Sequence, residues 1–215
     1  MPICFDEHNL CFFPIPKTAS TSIKSMLFPK ETVNIAALHK NTPAIDFNKI
    51  QHNRIKDWKK LAIVRDPIER VISCYRQKIF NTRQLIKDFR KSGNPNKLSE
   101  TPTFDEFVEK IELYSTSSRL VEHHIRPTVF FLGSDVKYFT RLYKISEINQ
   151  LRADLTVWLD QPLTQEHRNK TATKTPSVTV TPNAIDKLKK IYKQDYDLFE
   201  FDLPSFSLKN GGIQV

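Results

Sequence analysis

Twice in its N-terminal half the chain passes from a short apolar run of strand length, through a polar turn, into a helical apolar pattern, and this repeated passage constrains the fold most. The first passage is the apolar run 10–15, the turn Pro16-Lys17-Thr18-Ala19-Ser20-Thr21-Ser22, and then Ile23, Met26 and Leu27 at helical spacing. The second is the run 61–64, then Arg65-Asp66, then Pro67 with Ile68, Val71, Ile72, Tyr75 and Ile79 on one helical face. Runs at 33–38 and 129–132 also have strand length and β-rich composition. Further helices are predicted from Thr103, where Glu106 completes capping-box spacing, and from Thr181-Pro182, carrying Ile185, Leu188, Tyr192 and Phe199 inward. Strands alternating with helices predict an α/β fold: a P-loop-like three-layer sandwich with a mainly parallel central sheet flanked by helices. Ligands of such sheets bind at the carboxyl ends of the strands.

A chain of 215 residues, 39% hydrophobic, suits one domain spanning 1–215. At this size folding buries roughly 70% of the chain's surface, so no disulfide or metal staple is needed. The three cysteines, Cys4, Cys11 and Cys74, are odd in number and form no CxxC pair, which predicts neither a disulfide framework nor a zinc site. With no apolar run of membrane length and no secretory signal, the expectation is a soluble chain in a reducing compartment, the cytoplasm.

The formal net charge is +9, and it is unevenly spread. Residues 54–91 hold 12 basic and 4 acidic side chains, whereas 100–125 hold 6 acidic and 2 basic ones. Such a local positive field points to an anionic partner.

Both turns can hold an anion. Backbone N–H groups at a helix N-terminus, with the positive dipole end, suit phosphate or sulfate, and Lys17, Thr18, Ser20, Thr21 and Ser22 add side-chain donors. The alternative is that the hydroxyls only cap the helix. The nucleoside triphosphatase pattern G-x-x-x-x-G-K-[ST] is absent, since no glycine lies in the loop and Lys17 precedes the turn. In the second passage Arg65 stands at the strand's carboxyl end with a planar fork suited to phosphate, Asp66 is placed to cap the helix, and Ser73 adds a hydroxyl from two turns along. A surface ion network of Arg65, Asp66 and Arg70 is the alternative there.

Together the two passages resemble the sulfotransferases that use 3′-phosphoadenosine-5′-phosphosulfate (PAPS), particularly the membrane-type carbohydrate branch, here as a soluble bacterial-type member. The likeness extends to Thr103-Phe104-Asp105-Glu106-Phe107-Val108, to His124-Ile125-Arg126-Pro127 and to the stretch from Ile191 to Phe199. Ala19 stands where many members carry Gly or Cys. The resemblance implies transfer of a sulfuryl group from PAPS to a hydroxyl acceptor, a saccharide or glycolipid, leaving adenosine 3′,5′-bisphosphate (PAP). It assigns Pro16, Lys17, Thr18, Ala19, Ser20, Thr21 and Ser22 to the 5′-phosphosulfate, and Arg65 and Ser73 to the 3′-phosphate. Lys17 would offset charge on the leaving phosphate, and no metal, nucleic acid or stable membrane insertion is implied.

An acceptor hydroxyl needs a proton acceptor. His39 follows the expected strand 33–38, between the two motifs as in several sulfotransferases, and is taken as the base; His52, His124 or a carboxylate are alternatives. The pair His123-His124 is not read as a metal site. Residues 165–171 resemble a late loop near the nucleotide, and Trp58 and Trp158 are read as core packing. Two other functions compete: a kinase-like nucleotide enzyme, which would require Mg2+, and a non-enzymatic polyanion binder using the basic stretch.

Overall fold

The computed structural model describes residues 1–28, 37, 40–163, 178–201, 207–209 and 212–214. In chain order the first elements are β1 (Ile3–Phe5), β2 (Leu10–Phe13), α1 (Ser20–Leu27), β3 (Lys59–Val64) and α2 (Pro67–Cys74), which continues in wider π turns over Tyr75–Asn81. Then come α3 (Gln84–Ser92), α4 (Phe104–Glu109), α5 (Ile111–Ser117), α6 (Arg119–Ile125) and α7 (Thr128–Leu132). The last are β4 (Arg141–Lys144), α8 (Ile148–Trp158), β5 (Thr179–Val180), α9 (Pro182–Ile191), α10 (Lys193–Phe199), β6 (Ser207–Lys209) and β7 (Gly212–Gln214). They gather into two compact units, each made of two stretches of chain: Met1–Arg65 with Thr128–Ala172, and Asp66–Pro127 with Thr173–Val215.

The first unit is built on a sheet of order β1-β2-β3-β4. β2, β3 and β4 run parallel and β1 is antiparallel at the edge, which is the α/β class with a mainly parallel, helix-flanked sheet expected from the sequence. Leu10, Phe12, Leu61, Ile63 and Tyr143 on one face pack with Ile23 and Leu27 of α1 and Leu151 and Leu155 of α8. All four residues of β2 are buried, which explains its unbroken apolar run. Phe12 pairs with Leu61 and Phe13 with Ala62, so β2 and β3 end at the same rim of the sheet. β2 stops at Phe13 rather than running to Ile15, because Pro14 and Pro16 cannot donate to the ladder.

The second unit packs α2, α4, α6 and α9 around Ile68, Val71, Ile72, Phe104, Phe107, Val121 and Leu188. The expected caps are present. Asp66 Oδ1 accepts from the Glu69 amide at 2.9 Å, Thr103 and Glu106 form their capping box, and Thr181 Oγ1 accepts from the Ala184 amide at 3.3 Å. A small antiparallel sheet, β5-β7-β6, completes the described part of this unit.

Several expectations are corrected. Residues 129–132 belong to the helix α7, not to a strand: Thr128, Phe131 and Leu132 are buried, the spacing of one helical face. The cysteines are not all unpaired. Cys4 of β1 and Cys11 of β2 stand directly opposite in the antiparallel register, with Cα atoms 4.2 Å apart, and form a disulfide, while Cys74 is buried outside any disulfide. The cysteine count therefore gives no support to a reducing compartment. The expected strand at 33–38 lies outside the described residues apart from Ala37, as do residues 164–177. Among the described residues no helix is long and apolar enough to cross a membrane.

Candidate functional site

The first loop leaves β2 through buried Pro14, Ile15 and Pro16 and enters α1 at Ser20. Lys17 and Ala19 both adopt left-handed backbone, at φ 67° and 58°. For residues with a Cβ this costs about 1 kcal/mol each, strain of the kind kept at ligand-binding turns. Ala19 caps α1, its carbonyl accepting from the Ile23 amide at 3.1 Å, and no acidic residue occupies the first turn of α1. The positive end of the helix therefore meets no competing carboxylate of its own.

The hydroxyls divide by task. Thr18 is fully buried and its Oγ1 donates to the Ile15 carbonyl at 3.0 Å, so its single hydroxyl proton shapes the turn, and Thr18 has only its backbone N–H to offer an anion. This corrects its expected role as a side-chain donor. Ser20 is buried, and Lys17, Thr21 and Ser22 are half-buried at the same turn. Arg65 leaves the adjacent strand, and its Nη1 donates to the Lys17 carbonyl at 3.3 Å. Structure thus brings Lys17 and Arg65 together, at the rim where β2 and β3 end.

Within α1, Lys24 is buried at 2% exposure, and its Nζ donates to the Thr42 carbonyl. Burial pushes this ammonium down to about 8.

In the second unit α2 carries Ser73, half-buried on its last turn. Asp66 caps α2 as expected, and the alternative of a surface ion network does not hold, since Asp66 and Arg70 are buried supports. Asp66 Oδ2 accepts from the Tyr196 hydroxyl at 2.7 Å, and burial pushes the Asp66 carboxyl up from its ordinary value. The same burial, with the carboxylate beside it, pushes the Tyr196 phenol up. Arg70 and Asp195 are each 0% exposed. Arg70 Nη2 donates to the Arg126 carbonyl at 2.6 Å and lies 4.0 Å from Asp195 Oδ2. Tyr75, the last residue of the second motif, is also structural: its hydroxyl donates to the Pro102 carbonyl at 2.8 Å and its ring meets Phe104 edge-on. Sequence reasoning assigned no role to Tyr196 and Asp195, although the stretch 191–199 was one of the segments carrying the resemblance.

The histidines separate clearly. His39 lies outside the described residues. His52 precedes β3, at the opposite end of that strand from Arg65, and both its ring nitrogens are engaged: Nε2 with the Phe47 carbonyl at 2.9 Å and Nδ1 with the Tyr138 hydroxyl at 2.8 Å. Since a carbonyl only accepts, Nε2 carries the proton and Nδ1 accepts from the phenol, which leaves a neutral His52 no lone pair for a substrate. His124 Nδ1 bonds the Leu120 carbonyl one turn back, at 2.7 Å. No group of three or more metal-ligating side chains occurs among the described residues. A cleft of about 550 Å³ lined by His52, Lys56, Lys60, Lys137 and Tyr138 opens at the amino ends of β3 and β4, away from the Lys17 loop. Its buried Lys60 is occupied, donating to the carbonyls of Ile55, Lys56 and Trp58 at 3.1, 2.8 and 2.7 Å.

Comparisons with known proteins agree on one family. The model of the sulfotransferase family matches residues 3–202. Carbohydrate sulfotransferase 11 of Mus musculus is 22% identical over 94% of this chain and 67% of its own, and the Rattus norvegicus protein of that name gives the same figures. A sulfotransferase crystal structure from Alicyclobacillus acidocaldarius covers 91% of this chain and 87% of its own at 15% identity, with a TM-score of 0.36, a likeness too loose to add to the assignment. With its family model matched over nearly the whole length, the chain belongs to the sulfotransferase family.

Proposed function

We propose that this protein transfers a sulfuryl group from PAPS to a hydroxyl of a carbohydrate acceptor. One observation carries the reading: the guanidinium of Arg65 reaches the backbone of Lys17, so two basic turns meet where neighbouring parallel strands end, beside the N-terminus of α1. A donor bearing phosphate at both the 3′ and 5′ positions of one adenosine suits such a pair of turns. The names of the mouse and rat relatives support a carbohydrate acceptor.

In the reaction the sulfur–oxygen bond to the 5′-phosphate breaks as a bond to the acceptor oxygen forms, and the acceptor's proton passes to a base. The transition state is loose, so alignment and charge stabilisation are the protein's contribution. Lys17 places its ammonium at the bridging oxygen and offsets the charge that develops on leaving PAP. The turn from Pro16 to Ser22 holds the 5′-phosphate through backbone N–H groups, the hydroxyls of Ser20, Thr21 and Ser22 and the helix dipole. Arg65 and Ser73 bind the 3′-phosphate, and His39 takes the proton. Lysine and dipole supply the positive charge that a kinase draws from Mg2+.

Calorimetric titration in EDTA tests the donor class without knowledge of the acceptor. Saturable PAP binding much tighter than that of ATP is the expected result. Tighter ATP binding that requires Mg2+ would favour a kinase-like enzyme, and affinity for any polyanion that PAP does not compete away would favour a non-enzymatic binder.

A further inference from the structure

We propose that Tyr196, together with Asp195, is a positioning residue for recognition of the 3′-phosphate. The proposal rests on the donor reading above; the side-chain contacts it is argued from lie within the second unit, and Arg65 is joined to them by the peptide bond to Asp66.

Three polar side chains spaced at 192, 195 and 196 fall on one helical side and meet the helices that follow the second motif. Tyr196 donates to Asp66, the residue whose other carboxylate oxygen caps α2. Asp195 faces Arg70 in the first turns of the same helix, with both side chains excluded from water. Tyr192 donates to the Ile125 carbonyl at 2.5 Å, next to the Arg126 carbonyl that Arg70 holds. The start of α2 is therefore fixed from two directions, by a capping carboxylate that is itself held and by a buried guanidinium between a carbonyl and a carboxylate. Arg65 precedes the held Asp66 by one peptide bond, and Ser73 is seven residues along the same helix.

A phenol that only filled space would need no hydroxyl. This one bonds a carboxylate oxygen that burial penalises, and so keeps the charged cap in a single orientation. Without it the carboxylate retains its backbone donors but gains freedom to rotate, and the direction in which the chain leaves Arg65 loosens with it. Binding geometry depends on such supports, because small displacements of a charged group at a phosphate cost affinity steeply.

The test compares wild type, Tyr196→Phe and Arg65→Ala by calorimetry with PAP and with 5′-AMP, alongside thermal unfolding and steady-state kinetics. Tyr196→Phe is expected to weaken PAP about tenfold while 5′-AMP changes less than about twofold, with KM for the donor raised and kcat at saturation kept. Asp195→Asn, which keeps the shape and removes the charge, should shift the two ligands in the same unequal way. Equal losses for PAP and 5′-AMP in Tyr196→Phe, or no loss, would overturn the proposal and leave the tyrosine a packing residue. If Arg65→Ala itself fails to separate the two ligands, the donor reading falls, and this inference falls with it. If Arg65→Ala separates them and Tyr196→Phe does not, only the inference fails.

Discussion

Each of the two helices that follow the motifs buries one cation, and the two are handled in opposite ways. Arg70 on α2 faces the buried carboxylate Asp195 and donates to a carbonyl, whereas Lys24 on α1 donates to the neutral carbonyl of Thr42 and is pushed down to about 8 by burial. A guanidinium keeps its charge at any ordinary pH, so Arg70 serves as a permanent strut. A buried ammonium can give up its proton, so the support under the first loop is titratable. The loops themselves differ as well. The first relies on left-handed backbone at Lys17 and Ala19, the second on side chains gripping a helix cap.

The largest effect should come from breaking the paired strut. Asp195→Ala leaves Arg70 buried opposite no carboxylate and is expected to destabilise the protein by about 3–5 kcal/mol, read by denaturant unfolding. A loss under about 1 kcal/mol would show that the pair adds little. Next, Lys17→Ala should lower turnover roughly 100-fold or more with only a modest loss of PAP affinity, while unfolding stays close to wild type. This separates loop chemistry from helix support, and unchanged turnover would remove Lys17 from the mechanism.

Lys24 gives a pH signature that Arg70 cannot. Its folded value, about 8, lies below its ordinary 10.5, so the unfolded chain binds the proton more tightly and the burial penalty is complete below pH 8. As pH rises from 8 to 10.5 the penalty fades, and wild type should gain about 2 kcal/mol on Lys24→Met, measured by denaturation at both ends of that range. A constant gap would mean that the ammonium is hydrated. The smallest effect is expected for Ala19→Gly, which relieves left-handed strain at φ 58° and should stabilise by about 0.5–1 kcal/mol without loss of activity.

Much of this architecture was legible in the sequence where local chemistry decides it. Pro67 after Asp66, Thr103 with Glu106, and Thr181 before Pro182 each start a helix at the expected place, because cap and proline act over a single turn. Partners distant in the chain were not legible. β4, Arg141–Lys144, has a charged residue at each end and one buried residue, Tyr143, so it has no apolar run to find. β1 is three residues long, and without it the pairing of Cys4 with Cys11 cannot be deduced. His52 reads as a candidate base until Phe47 and Tyr138 are seen to occupy both nitrogens. In the same way Asp66 reads as a helix cap, and nothing local shows that Tyr196, 130 residues on, closes over its other oxygen.

The central claim is that Lys17 and Arg65 hold opposite ends of one doubly phosphorylated adenosine, and titration of PAP and 5′-AMP into wild type and Arg65→Ala tests it most directly. The account predicts that the variant loses about tenfold or more in PAP affinity and almost nothing for 5′-AMP, as removal of a charged hydrogen bond to the 3′-phosphate requires. Equal weakening of both nucleotides would contradict it.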